Sequence, residues 1–130
     1  MAQLTVEEQQ SLNQKCQEML HYPGIRFVGV INQMGNQVAG GFRYGVKPFG
    51  TDEQRRILFM QLVLEVNMRS ELNELLGPIK YIAARREKIK KITIPWGKKI
   101  IVITTDVNTD VEEISKKANE VFQGYLDLNA

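Results

Sequence analysis

The chain has 130 residues, of which 43% are apolar and 25% are charged, and its formal net charge is +2. This composition excludes a disordered chain and fits one globular domain over residues 1–130. Because no apolar run reaches the roughly 18 residues of a membrane span, and the start lacks the basic and apolar regions of a secretory signal, we expect no membrane insertion and a cytoplasmic location.

The first third of the chain predicts a helix followed by a β-hairpin. Thr5 and Glu8 form a capping-box pattern, so we expect a helix that continues to Leu20. Ile25–Asn32 is dense in β-branched and aromatic residues, which are typical of a strand. After a polar turn, Gln37–Arg43 can return as a second strand, and its two adjacent glycines indicate a bulge or a close backbone approach.

A long helix is predicted in the middle of the chain. Thr51 and Gln54 form a second capping box, which follows a loop at Tyr44–Gly50. The helical pattern continues without a break to Leu76, where a glycine and a proline provide the stop. At 1.5 Å per residue this helix would be about 37 Å long and would span nearly the whole domain.

Three strands and a last helix are predicted in the remainder. The strands are Ile79–Arg85, Lys88–Ile94 and Lys99–Thr105, with turns at Arg86–Glu87 and Pro95–Lys98. A third capping box, from Thr109 to Glu112, begins the helix. The order is helix, strand, strand, helix, strand, strand, strand, helix. Short turns or one crossover join all five strands, so we expect an α+β fold with a five-stranded, antiparallel-rich sheet flanked by helices.

Two segments carry a resemblance to a known family. Phe27–Gly41 contains a hydrophobic strand, a polar turn with glycine and a short apolar strand, and it resembles the opening hairpin of roadblock proteins. These proteins belong to the wider profilin-like and longin-like group. Ile100–Thr104, followed by an amphipathic helix, resembles the same family. The chain is also similar to short archaeal proteins that share stretches like Leu76–Tyr81 and Ala84–Lys88. The resemblance implies a roadblock-like fold, homodimerisation, partner scaffolding and often regulation of small GTPases, with no catalytic residues.

Residues that could support catalysis are few. His21 is the only histidine and Cys16 the only cysteine, so a multi-histidine metal site within one chain is excluded. We expect His21 to serve as a helix cap or surface residue and Cys16 to be a buried structural thiol. The sequence contains neither a GxxxxGK[ST] loop nor a GxGxxG pattern. We therefore expect no enzyme activity, no metal and no cofactor.

The predicted long helix carries too many apolar residues for a simple surface helix. Eight of the ten residues of Ile57–Val66 are apolar, whereas covering the sheet needs only one apolar stripe. A large uncovered apolar surface is usually an interface. We therefore predict a homodimer that pairs through this helix, with an interface that contains Phe59, Met60, Val63, Leu64 and Met68, and we take Met60 and Leu64 as its outer side. The alternative is that a neighbouring helix or the Tyr44–Gly50 loop covers this surface.

Basic residues are concentrated between Pro78 and Lys99, where eight are basic and only Glu87 is acidic. The residues that we assign to binding of an anion or a partner are Lys80, Arg85, Arg86, Lys88, Lys90, Lys91, Trp96 and Lys98. Basic residues with nearby aromatics can bind nucleic acid or an anionic partner. The alternative is a solvated face that protects a sheet edge. Trp96 is either an exposed anchor or folded back over its hairpin.

Three hypotheses about function follow. The first is a non-catalytic homodimeric interaction module that acts as a scaffold or regulator in signalling, with a small GTPase as one class of partner. The second is a protein that binds nucleic acid or another anion through the Lys80–Lys99 surface. The third is a small-molecule sensor, although no set of residues specifies a ligand.

Overall fold

The computed structural model describes the backbone of residues 4–129 and the side chains of residues 4–122, so the ends of the expected 1–130 domain lie outside the described residues. Its elements are α1 (Val6–Leu20), β1 (Ile25–Ile31), β2 (Gln37–Phe42), α2 (Asp52–Arg69), a 3-10 turn (Ser70–Leu72), α3 (Asn73–Leu76), β3 (Ile82–Arg85), β4 (Lys90–Trp96), β5 (Lys99–Thr105) and α4 (Val111–Asn129). The five strands form one sheet in the order β2-β1-β5-β4-β3, and all neighbours are antiparallel. The predicted α+β fold is confirmed.

The central strand β5 is buried on both faces of the sheet. Ile101 and Ile103 point to one face, Ile100 and Val102 point to the other, and all four are buried. A strand that is covered on both sides has a continuous apolar run in its sequence, as β5 does. Each face of the sheet therefore needs its own cover.

Two helices, α1 and α4, cover one face. The helical residues buried on this side are Leu12, Cys16, Met19, Leu20, Ile114, Ala118, Val121 and Phe122. They pack against β-sheet residues that include Trp96, whose ring meets that of Phe122 edge-on, with centroids 5.7 Å apart. Burying one large apolar side chain contributes about 1.5–3 kcal/mol, so this larger cluster is the main hydrophobic contribution to folding.

A single helix, α2, covers the other face. Its buried residues are Phe59, Leu62, Val63 and Val66, which pack against Phe27, Ile31, Ile100 and Val102 of the sheet. The rings of Phe27 and Phe59 are stacked, with centroids 5.9 Å apart. Because α1 and α4 lie on the opposite face, no other long helix lies over the outer side of α2 in the described part of the chain.

The predicted helix starts are partly confirmed. At Thr5 and Thr51 both hydrogen bonds of the capping box are present. The third capping box is wrong, because α4 begins one residue later and Asp110 Oδ1 accepts the Glu112 amide over 2.9 Å. Aspartate is as good a helix cap as threonine, and the sequence offers the two side by side.

The predicted continuous helix to Leu76 is also wrong. The α-helix ends at Arg69, and the chain then passes through the 3-10 turn into the short helix α3. No residue of the 3-10 turn or α3 is fully buried, so little packing holds this segment in register with α2. Without such packing a helix end commonly tightens into a 3-10 turn.

Strand β4 begins and ends two residues later than the predicted Lys88–Ile94. It continues through Pro95 and Trp96, and only Gly97 and Lys98 form the turn to β5. The pairing of β3 with β4 stops at Thr93, so Pro95 lies where β4 has a single neighbour. A proline lacks the amide hydrogen of a strand and is tolerated at such a position.

Gly40 marks a close approach within the first hairpin. Its φ is +93°, and a Cβ atom there would lie 2.0 Å from the carbonyl oxygen of Val28. Its amide also donates to Asn13 Oδ1 of α1 over 2.7 Å. A Cβ atom on the adjacent Gly41 would have open space around it. The close backbone approach that two glycines indicated therefore belongs to Gly40.

This pair of glycines provides a matched test of the fold. We expect Gly40→Ala to lower the free energy of unfolding by more than about 2 kcal/mol, because it combines a positive φ with a backbone clash. Gly41→Ala should change it by less than about 1 kcal/mol, because the methyl group meets nothing. Urea denaturation followed by circular dichroism measures both values, and equal losses in the two variants would contradict this account.

Candidate interaction surfaces

The predicted interface residues of α2 divide between its two sides. Phe59 and Val63 are 4% and 6% exposed and pack on the sheet, so their assignment to a dimer interface is corrected: the sheet already uses these side chains. Met60, Leu64 and Met68 are 38%, 51% and 68% exposed. They lie on the side of the helix away from the sheet, where Met60 and Leu64 were expected to be.

Four apolar residues follow one another along the outer side of α2. These are Ile57, Met60, Leu64 and Met68, and we call them the outer stripe. Their spacings of three and four residues place them on one side of a helix. Exposed apolar residues continue beyond α2 at Leu72, Leu75 and Leu76. The alternative that another helix or the Tyr44–Gly50 loop covers the stripe is not realised among the described residues.

An ion pair and a β-turn lie beside the outer stripe. At its side, Glu65 and Arg69 form an ion pair with a distance of 3.2 Å between oxygen and nitrogen. At one point the turn between β1 and β2 packs on it, since a Cβ atom on Gly35 would lie 3.1 Å from Met60 Sδ. Met34 of the same turn is exposed. The stripe is therefore a narrow apolar surface with charged groups at its edge, as interfaces commonly are.

The basic residues of the last third do not form one surface. β4 runs from Lys90, opposite Thr105, to Trp96, opposite Lys99. Lys98 lies in the turn beside Trp96, whereas Lys88 precedes Lys90 at the other end of the strand. A seven-residue strand is about 20 Å long, so the sheet separates the two groups. Lys80 belongs to the Lys98 end, because it lines a groove that also contains Pro95 and Trp96.

Lys90 and Lys91 have structural roles. The Lys90 ammonium donates to the carbonyl oxygen of Thr109 over 2.7 Å and so ties β4 to the start of α4. Lys91 is half-buried on the α2 side of the sheet. Burial lowers the pKa of Lys91, the nearby charge of Arg86 lowers it further, and Glu65 opposes this shift. Neither ammonium is a freely projecting anion contact.

The two aromatic residues near the basic segment, Trp96 and Tyr81, contact other parts of the fold. Trp96 is 5% exposed and packs in the core, so its assignment to a binding surface is corrected, and the alternative of folding back over the hairpin holds. Tyr81 donates to Glu112 Oε1 over 2.5 Å, and this hydrogen bond raises the pKa of Tyr81. Trp96 falls on the same face of β4 as Ile92 and Ile94, which places it against α4.

The structure brings other aromatics to the basic turn between β3 and β4. The Lys88 ammonium lies 5.6 Å from the centre of the Phe49 ring, and the Arg26 guanidinium carbon lies 4.6 Å from it. Phe49 and Tyr44 of the loop before α2 are exposed. The sequence predicted only a loop at Tyr44–Gly50. The available signal was two aromatics in a polar, glycine-rich loop, but the partner residues lie far away in the chain.

We call this surface the basic end. It consists of Tyr44, Lys47, Phe49, Arg85, Arg86 and Lys88, which are all exposed. Arg26 supports it by donating to the carbonyl oxygen of Lys47 over 3.0 Å. The acidic residues near it include Glu87, Asp52, which follows Phe49 by three residues, and Asp106, whose Oδ1 lies 4.0 Å from Arg26 Nη1. The basic end therefore joins positive charge to exposed aromatic rings.

The described residues contain no group of three or more His, Cys, Asp or Glu side chains that could hold a metal ion. His21 caps the end of α1, and its Nδ1 lies 2.7 Å from the carbonyl oxygen of Gln17. None of the described helices combines the length and apolar character needed to cross a bilayer.

Similarity to solved structures identifies the class of fold. The gliding protein MglB from Thermus thermophilus gives a TM-score of 0.78 at 13% identity, covering 97% of this chain and 93% of that one. A roadblock/LC7 domain from Streptomyces avermitilis gives 0.68 at 8% identity, covering 89% and 98%. Profilin from Schizosaccharomyces pombe gives 0.63 at 12% identity, covering 92% and 99%. The fold is therefore roadblock-like and profilin-like, which confirms the resemblance inferred from the sequence.

The amino-acid sequence assigns the chain to a family, which is a narrower class than the fold. The chain belongs to the family described as "Family of unknown function (DUF6659)", which matches residues 1–126. No curated protein matches the chain.

The buried thiol gives a prediction with a defined pH window. Burial raises the pKa of Cys16 from 9.0 to about 12. The folded state therefore disfavours the thiolate, so the stability that this thiol contributes is complete below pH 9.0 and is lost as the pH rises towards about 12. The alkaline fall in the denaturation midpoint should be steeper for the wild type than for Cys16→Ala, which lacks the thiol.

The same burial predicts protection from reagents. A thiol-specific chromogenic reagent at about pH 8 should react with Cys16 only after denaturant is added, because the reactive species is an exposed thiolate. Rapid reaction of the native protein, or identical alkaline profiles for the wild type and Cys16→Ala, would contradict the burial of this group.

Proposed function

We propose that the protein is a non-catalytic homodimeric interaction module and that the outer stripe of α2 is its dimer interface. The observation that carries the proposal is the exposure of Ile57, Met60, Leu64 and Met68 on the only long helix that covers its face of the sheet in the described part of the chain. The stripe is apolar over several helical turns, and a surface of this kind usually contacts another protein.

The energetics favour covering the stripe. Fully burying one side chain of this type contributes about 1.5–3 kcal/mol, and each stripe residue is only partly buried in the single chain. Two copies would bury twice this set, which can offset the entropy lost on association. The Glu65–Arg69 ion pair at the edge would remain hydrated at the rim, where it costs little.

A second copy of the chain is the occupant that the stripe fits best. Two identical helices that cross about a two-fold axis bury the same residues on each copy, so one narrow apolar stripe suffices for both partners. The roadblock resemblance also implies homodimerisation. One similar MglB structure has a tetrameric arrangement, so this fold supports self-assembly in that protein.

The decisive experiment places opposite charges in the stripe. We expect the wild type to be a dimer and the variant Met60→Glu with Leu64→Lys to be a monomer, because the dimer would have to bury charges. The new Glu and Lys are four residues apart and support the helix itself, so folding should persist. Size exclusion with light scattering measures the mass, and circular dichroism checks the helix.

A matched control uses α1. Gln10→Glu with Gln14→Lys introduces the same charges at the same spacing on an exposed helical surface across the sheet. This variant should remain a dimer. A wild type that is monomeric at micromolar concentration, or a dimer that survives both variants equally, would rule out the stripe as the interface.

We further propose that the dimer is a scaffold or regulator in signalling and that a small GTPase is its partner. This step rests on the roadblock resemblance, because no residue of the chain specifies a nucleotide. Immobilised protein should capture a GTPase from native lysate in one nucleotide state, with either GDP or a non-hydrolysable GTP analogue present. Mass spectrometry identifies the captured protein. Capture that ignores the nucleotide, or that yields no GTPase, would refute this part.

A further inference from the structure

We propose that the basic end is a binding surface for single-stranded nucleic acid. It combines the exposed rings of Tyr44 and Phe49 with the cations of Lys47 and Lys88 on one end of the sheet. The proposal is independent of the dimer, because the basic end is formed by the loop before α2 and the turn between β3 and β4, whereas the stripe lies along the outer side of α2.

The basic end is held in place before any ligand arrives. The Arg26 guanidinium donates to the backbone of Lys47 over 3.0 Å and lies 4.6 Å from the centre of the Phe49 ring. The turn between β3 and β4 is tied together, because Arg85 donates to the backbone carbonyls of Arg86 and Glu87. A surface that is already ordered loses less conformational entropy when it binds.

The chemistry of the groups favours nucleic acid. Lysine and arginine side chains contact phosphates without regard to sequence, and exposed aromatic rings stack on bases. Tyr44 is 102% exposed, so its ring presents a free face. The guanidinium groups of the exposed Arg85 and Arg86 are planar and can also stack on bases.

Other anionic partners fit this surface less well. An acidic peptide would satisfy the cations but would make no specific use of the free Tyr44 ring. Proteins that lie on an anionic membrane commonly use an amphipathic helix with a broad apolar face, whereas the basic end is a loop and a turn whose large exposed apolar residues are Tyr44 and Phe49. Duplex nucleic acid hides its base faces in the stack, so single strands are the better match.

The test measures fluorescence anisotropy of a short labelled oligothymidylate and of a short labelled oligouridylate, titrated with the full chain. Lys47→Glu with Lys88→Glu should weaken binding by at least about tenfold and reduce the slope of log affinity against log salt by about 0.7 for each phosphate that is no longer neutralised. Tyr44→Ser should weaken binding by about tenfold because it removes stacking, with little change in the salt slope. Tyr44 is fully exposed, so this variant keeps its fold.

The control makes the same charge change at the other end of the sheet. Lys80→Glu with Lys98→Glu replaces two exposed lysines from the same basic segment of the sequence, and it should leave binding within about twofold of the wild type, because non-specific charge effects across the domain are screened. Equal losses in the two charge variants would overturn the proposal, since the net charge alone would then explain binding.

Three further outcomes would also overturn it. The first is no binding of either oligonucleotide at low salt, and the second is equal or stronger binding of a duplex of the same length. The third is binding only to vesicles that contain phosphatidylserine, or only to an acidic peptide, which would assign the surface to a different class of partner. Preferential binding of one strand type would separate RNA from DNA as the source of the ligand.

Discussion

The structure depends on a central strand that is apolar on both faces. Because β5 buries Ile101 and Ile103 on one side and Ile100 and Val102 on the other, the sheet cannot leave one face in water. The two faces are covered unequally, by α1 and α4 on one side and by α2 alone on the other. This inequality explains the distribution of apolar residues in the chain, since a lone covering helix has no flanking helix to hide its far side.

The unequal cover of the two faces also explains why α2 has two apolar sides, one buried on the sheet and one exposed. The first apolar side is buried against the sheet and consists of Phe59, Leu62, Val63 and Val66. The residues between them include a second apolar side, which is only partly buried and so contributes less to the stability of the single chain. A helix whose only task was to cover a sheet would have polar residues there. The outer stripe is therefore apolar surface that the folding of the single chain leaves largely exposed.

Local patterns in the sequence predicted local structure well. The hairpin, the caps at Thr5 and Thr51 and the continuous apolar run of β5 depend on neighbouring residues, so they were readable without the fold. The end of α2 was misplaced because its continuation lacks packing, which a helical pattern cannot show. Trp96 was open to two interpretations because the sequence did not decide whether the strand ends at Ile94, with Trp96 in the turn, or continues to Trp96 itself.

The candidate sites were less predictable because they depend on contacts between distant segments. A run of basic residues at Pro78–Lys99 reads as one patch, but antiparallel strands carry its two ends to opposite ends of the sheet. Phe49 and Lys88 are far apart in the sequence and meet only in the fold. Rotation of α2 about its axis was likewise undetermined until the sheet selected Phe59 and Val63 as inner residues.

The position of the Tyr44–Gly50 loop, immediately before the first turn of α2, ties the orientation of that helix to the orientation of the basic end. Any assembly in which two copies of α2 cross must set the two loops at a fixed separation. An antiparallel crossing carries them to opposite extremes, and a parallel crossing brings them side by side. In such an assembly the crossing angle would determine whether one flexible, charged polymer can bind both loops at once and gain avidity, or whether each loop binds a separate polymer.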